Sequence, residues 1–136
     1  MKTVLFFFAL AISTLSYAQD STKVKVETPK IVNKLQYGKS VSVNDIEVKF
    51  VELVSDSRCP QGVSCVWAGE VVILVDVLEN GKKIDTKKMT FNAVGKANDI
   101  YISDGLSISG VNISPYPVYG KKIALEDYKM QLYIKN

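Results

Sequence analysis

The chain has 136 residues, of which 47% are hydrophobic, and its 17 basic and 14 acidic side chains give a formal net charge of +3. A balance so near neutrality does not predict a nucleic-acid-binding protein, which usually carries a concentrated basic face. The sequence contains no histidine, which excludes Ser–His and Cys–His catalytic pairs and histidine-based metal sites.

The first segment of the chain has the pattern of a secretory signal peptide. Lys2 precedes an apolar run over residues 4–12, and the small residues Ser16 and Ala18 stand at the positions that a signal peptidase recognises. The apolar run is shorter than the roughly 20 residues that span a bilayer. We therefore expect cleavage after Ala18, export to the periplasm or the medium, and no transmembrane segment in the mature chain.

The chain divides into three parts. Residues 1–18 are predicted to form the signal peptide. The second part is residues 19–35, of which residues 19–30 are polar and include Pro29 near their end. This second part is predicted as a flexible leader, or at most an edge strand through Val24 and Val26. Residues 36–136 are predicted to form one domain, since a chain of this length is typical of a single core.

Two short strand patterns occupy residues 41–54. The apolar phase moves by one residue after Phe50, which is what a β-bulge produces. Residues 70–79 are almost continuously apolar and rich in valine, as in a central strand. Asn80-Gly81 then predicts a tight hairpin.

The second half of the chain continues in the same way. The return strand of the hairpin is expected over residues 82–91, a loop over 92–99, and two further strands over 100–103 and 106–114. Gly110 marks a second phase shift. The final strand alternates cleanly, with one face formed by Tyr128, Met130, Leu132 and Ile134.

Six to eight short strands separated by regular turns predict a sandwich or a barrel. We favour a single antiparallel β-sandwich, immunoglobulin-like in general architecture, because the glycine pattern of barrel corners is absent. Tyr128 could form a tyrosine corner, although an ordinary core tyrosine is the stronger expectation.

The densest stretch of the sequence is SRCPQGVSCVWAGE, residues 57–70. Its two cysteines, Cys59 and Cys65, are the only ones in the chain. In an exported protein they predict a disulfide. A metal site is less favoured because two thiolates leave a tetrahedral ion half coordinated, and a redox pair usually has two residues between its cysteines rather than five. No cofactor is expected.

A rigid loop of this kind has a structural and a binding interpretation. In the structural one, Arg58 pairs with Asp56 or Glu70, Trp67 covers the sulfurs and seals the core, and Gly69 permits a close approach. In the binding one, the loop presents anchors to a partner, since Arg and Trp are common at interfaces. The candidate binding residues are Arg58, Gln61, Val63, Ser64 and Trp67.

The same stretch resembles the signature of an uncharacterised family of small exported bacterial β-proteins. Residues 56–60 match its Asp-Ser-Arg-Cys-Pro and residues 65–69 its Cys-x-Trp-Ala-Gly, while Pro115-Tyr116-Pro117 and Asp127-Tyr128 match its later part. The resemblance supports export and a β fold but implies no mechanism.

Three hypotheses follow. The first is a non-catalytic binding or accessory module of the cell envelope, whose partner is an envelope or extracellular protein or a glycan. The second is an inhibitor of an exported hydrolase. The third is a hydrolase that uses a carboxylate pair, although no spacing among the 14 acids selects one.

The lysine doublets at 82–83, 87–88 and 121–122 could bind a polyanion, but two of them lie on one hairpin, where lysines often protect a sheet edge.

Overall fold

The computed structural model describes residues 31–136, with backbone alone for residues 31 and 32. The predicted signal peptide and the possible strand through Val24 and Val26 lie outside this part. No helix in it is long and apolar enough to cross a membrane. Its regular structure is eight strands and one short 3-10 helix, Leu125–Asp127.

The strands form two four-stranded antiparallel sheets that pack face to face, which confirms the predicted sandwich. Sheet I has the order β1-β8-β7-β6 and sheet II the order β2-β3-β4-β5. The strands are β1 (Ile31–Gln36), β2 (Ser40–Val43), β3 (Ile46–Asp56), β4 (Glu70–Glu79), β5 (Lys82–Asn92), β6 (Asn98–Ser103), β7 (Leu106–Ser114) and β8 (Lys129–Lys135). In immunoglobulin constant domains, whose strands are lettered A to G along the chain, one sheet has the order A-B-E-D and the other C-F-G. The orders of sheets I and II are different, so the likeness consists of two packed antiparallel sheets.

The connectivity is two meanders joined by crossings between the sheets. The chain leaves sheet I after β1, forms all of sheet II in sequence, and returns for β6, β7 and β8. β1 then pairs with β8, so that Ile31 lies opposite Ile134 and Gln36 opposite Lys129. The sandwich therefore includes residues 31–35, which precede the domain start that we predicted at residue 36.

The core lies between the sheets and is built by the alternating residues of each strand. In β8, Met130, Leu132 and Ile134 are buried while Lys129 and Lys135 are exposed. Nineteen hydrophobic residues of the described part are buried, and at roughly 1.5–3 kcal/mol for each large side chain they supply the main stabilisation.

Several local predictions are confirmed. The register of β3 against β4 shifts between Phe50 and Glu52, and that of β7 against β8 shifts between Gly110 and Asn112. Asn80 and Gly81 both have positive φ, as a type I′ hairpin turn requires. β4 lies inside its sheet, between β3 and β5.

Candidate binding site

The cysteine-rich stretch forms the connection between β3 and β4, and we call residues 57–69 the stapled loop. Cys59 and Cys65 are joined by a disulfide, as predicted. The β3–β4 ladder continues into the loop, because Ser57 donates its backbone N–H to Glu70 at 2.8 Å and Cys59 donates to Ala68 at 2.8 Å. The loop is therefore fixed both by its own cross-link and by the sheet beneath it.

Arg58 lies inside the protein, with 8% of its surface exposed. Its Nε and one terminal nitrogen donate to the two carboxylate oxygens of Asp56 at 2.8 and 2.6 Å. The guanidinium also donates to the carbonyl of Ile113 in sheet I at 2.8 Å and to that of Pro115, in the loop after β7, at 3.0 Å. A planar group with several donors suits such a site better than lysine does.

Two tyrosines complete this network. The hydroxyl of buried Tyr128 donates to Asp56 at 3.0 Å, and the guanidinium carbon of Arg58 lies 5.1 Å from the centre of the Tyr116 ring. Tyr128 is an ordinary core tyrosine with a side-chain partner, not a tyrosine corner. The network joins the β3–β4 and β7–β8 connections, which favours the structural interpretation of Arg58.

The electrostatics of the network follow from its geometry. Burial raises the pKa of the Asp56 carboxyl, but the hydrogen bonds and charge of Arg58, with the Tyr128 hydroxyl, outweigh it and hold that pKa below its usual 3.8. Burial and the hydrogen bond to Asp56 raise the pKa of Tyr128 above 10.0, so its hydroxyl keeps the proton that it donates.

We expect the stability of the protein to fall in acid through Asp56. Its pKa is lower in the folded than in the unfolded chain, so ionised Asp56 contributes fully above pH 3.8 and the contribution is lost as the pH falls below that value. Urea denaturation between pH 7 and about pH 2 should show that the free energy of unfolding falls less steeply in Asp56→Asn than in the wild type. Asp76→Asn should change the profile in the same direction, because the hydrogen bond from Thr86 and the charge of Lys83 also lower the pKa of Asp76. An equal slope in Asp56→Asn and wild type would contradict the assignment.

Trp67 does not seal the core, and that interpretation is wrong. The residue is 72% exposed, and it lies beyond Ala68, which pairs with Cys59. Val63, Gln61 and Ser64 are exposed as well. Of the predicted binding residues, the structure thus places four on the surface of the loop and Arg58 beneath it.

The stapled loop is joined to a second loop, residues 115–124. Gln61 donates to the carbonyl of Pro117 at 2.9 Å and accepts from the N–H of Tyr119 at 3.0 Å, which forms a short parallel bridge between Gln61 and Val118. Tyr119, 70% exposed, therefore lies beside the loop tip. Sequence analysis missed this residue, although an aromatic residue between Pro117 and Gly120 is a signal for an exposed turn.

A third loop, residues 93–97, reaches the same end of the sandwich. Ala93 and Asn92 line a small cleft of about 100 Å³ together with Arg58, Ala68 and Tyr116. Val94, at the tip of this loop, is 85% exposed. We call the three loops, residues 57–69, 93–97 and 115–124, the stapled end.

The opposite end has a different character. A cleft of about 410 Å³ lies there among the β2–β3 and β6–β7 turns and includes Asp45, Glu79 and Asp104. All three carboxylates are exposed to solvent. A catalytic acid–base pair depends instead on different environments that move the pKa values of its two groups apart. We therefore propose no catalytic role for this cleft. Within residues 31–136, no three Cys, Asp or Glu side chains are placed to share a metal ion.

The lysine doublets are divided between the edge and the stapled end. Lys82-Lys83 and Lys87-Lys88 lie on β5, which is an edge strand of sheet II. Lys121-Lys122 lie in the 115–124 loop.

No family model, curated protein or solved structure matches the chain, so the function has to be argued from this geometry.

Proposed function

We propose that the chain is an exported, non-catalytic binding or accessory module of the cell envelope, and that the stapled end is its binding surface. The observation that carries the proposal is a set of exposed apolar side chains on loops that are rigidly held. Large apolar residues exposed together on a surface are characteristic of interaction sites. The disulfide supports an oxidising compartment, where such bonds persist.

Rigidity matters because ordering a mobile loop on binding costs free energy. For two of the three loops this ordering takes place on folding, since the disulfide, the Gln61–Val118 bridge and the Arg58 network fix residues 57–69 and 115–124. Trp67 and Tyr119 then present wide, stiff side chains with few rotatable bonds, as residues that dominate binding energies do.

The test is capture from cell-envelope extract by the immobilised chain from Gln19 onward, in three forms: wild type, Trp67→Ala and Ile84→Ala. Ile84 is also exposed, but on β5, so it controls for the general loss of an apolar side chain. We expect Trp67→Ala and prior reduction of the disulfide each to weaken capture by roughly tenfold or more, and Ile84→Ala to leave it unchanged. Equal capture by all forms would contradict a binding role for this end.

The alternative is that the chain inhibits an exported hydrolase. It is favoured by the same rigid loop, whose tip at Gln61 to Ser64 is exposed and could enter an active site. Assays of purified proteases and glycosidases with excess protein test it directly. Inhibition that disappears in a loop-tip variant such as Val63→Asp would support it, and an inactive panel would reject it.

A further inference from the structure

The chemistry of the stapled end identifies a partner. Resting on the binding role proposed above, we infer that this end docks on the surface of an anionic lipid bilayer, with the loop tips among the headgroups and upper acyl chains. The inference depends on three features: apolar tips on all three loops, lysines beside them, and no carboxylate within them.

Each loop carries at least one strongly exposed apolar side chain. Val66 and Trp67 lie on the stapled loop, Val94 on the 93–97 loop and Tyr119 on the 115–124 loop, all at least 70% exposed. Side chains of this kind gain free energy by leaving water for the interfacial region of a bilayer. Trp and Tyr are the aromatic residues enriched at the headgroup level, where their polar atoms stay hydrated.

The charge of the three loops is one-sided. Lys96, Lys121 and Lys122 are exposed, and Arg58 is balanced by Asp56. Residues 57–69, 93–97 and 115–124 contain no Asp or Glu. The carboxylates that follow along the chain, Glu70, Glu126 and Asp127, lie outside the loops, and a carboxylate-lined cleft lies at the other end of the sandwich. Within the three loops the exposed charged side chains are therefore lysines, while exposed Glu70, Glu126 and Asp127 border the loops and Glu126 shares a cleft with Lys122.

This combination fits a bilayer better than a glycan or a protein. Sugars are bound by flat rings together with convergent hydrogen-bonding groups, whereas Val66 and Val94 are aliphatic and the 93–97 loop has Lys96 as its only polar side chain. Protein interfaces bury their large anchors in pockets of the partner. Apolar tips on three loops, two of which also carry lysines, instead match a fluid surface that attracts cations and accepts apolar groups.

Trp67 is itself the probe, because it is the only tryptophan of the chain. The experiment uses the chain from Gln19 onward, which contains the whole described sandwich but lacks the apolar run of the predicted signal peptide. Vesicles of phosphatidylglycerol with phosphatidylcholine should shift its emission to the blue, and lipids brominated on the upper acyl chain should quench it. Pure phosphatidylcholine and high salt should both weaken binding, since screening reduces the attraction.

Matched variants locate the contact. Lys121→Ala/Lys122→Ala should weaken binding to the anionic vesicles roughly thirtyfold, and Lys82→Ala/Lys83→Ala, a doublet on β5, should not. Val66→Asp should weaken it about tenfold, because a carboxylate replaces an inserted side chain and repels the surface. Ile102→Asp, an exposed apolar position on β6, is its control. Val66 is fully exposed, so the variant loses no packing, and unchanged thermal unfolding verifies this.

The outcomes separate this inference from the proposed function. Unchanged Trp67 emission at millimolar anionic lipid overturns the inference, as does equal loss of binding in the stapled-end and control variants. If the protein does not bind vesicles but Trp67-dependent capture of an envelope protein or glycan persists, the inference of a lipid partner is wrong and the proposed binding role stands. If neither binding to vesicles nor Trp67-dependent capture is observed, the lipid partner and the binding role are both wrong.

Discussion

Replacing Arg58 by Ala should lower the free energy of unfolding by about 3–5 kcal/mol, because removing one member of a buried ion pair leaves the other charge without compensation. Asp56 would lose both hydrogen bonds from the guanidinium. The carbonyls of Ile113 and Pro115 would lose their donor as well. For a domain of this size, the melting temperature should fall by on the order of 15 °C, which thermal and urea denaturation both measure.

The chain offers a matched exposed pair as the control. Lys83 contacts Asp76 at 3.3 Å, but 57% of the lysine side chain is exposed, so Lys83→Ala should cost less than about 1 kcal/mol. Arg58→Lys should fall between the two, since it keeps the charge and loses the planar fork of donors.

A double variant shows whether the pair acts as a unit. If Asp56→Ala/Arg58→Ala costs less than the single variants Asp56→Ala and Arg58→Ala together, the difference is the coupling between the two side chains. A loss below about 1 kcal/mol for Arg58→Ala, combined with lost capture of a partner, would instead make Arg58 a surface anchor and contradict its assignment to the interior.

The features that sequence predicted well are those set by neighbouring residues. Alternation marked β8, Asn80-Gly81 marked the hairpin, and the phase shifts at Phe50 and Gly110 marked bulges, because a strand's side-chain period is two and any extra residue changes the face. The disulfide followed from cysteine count and export. All of these depend on a few consecutive residues.

The features that sequence did not predict depend on distant ones. Arg58 reaches carbonyls 55 and 57 residues away, and nothing local to residues 57–70 indicates them. The direction of Trp67 was predicted wrongly because the strand pattern ends before it and no periodicity fixes a loop side chain. The pairing of β1 with β8 likewise joins the two ends of the described chain. The sequence indicated the stapled loop, but neither the two loops that lie beside it nor which of its residues face solvent.

Gly69 should be the least replaceable glycine of the stapled loop. Its φ is +71°, and a Cβ added there would lie 1.8 Å from the carbonyl oxygen of Ser57. Backbone atoms cannot rotate away as a flexible side chain would, so the chain between Ser57 and Gly69 has to move. That movement breaks the bonds from Ser57 to Glu70 and from Cys59 to Ala68.

Gly69→Ala should therefore cost at least about 3 kcal/mol, from the positive φ together with the lost hydrogen bonds at about 1 kcal/mol each. Gly95→Ala isolates the first contribution, because Gly95 has a φ of +70° and nothing within 4 Å of the added Cβ. It should cost about 1 kcal/mol. Hydrogen exchange should locate the damage, with the amides of Ser57 and Cys59 losing protection in Gly69→Ala while those of β8 keep it relative to the global stability. If the two variants cost the same, the close approach of Ser57 and Gly69 is not what fixes the loop, and its rigidity has to come from the disulfide and the Arg58 network alone.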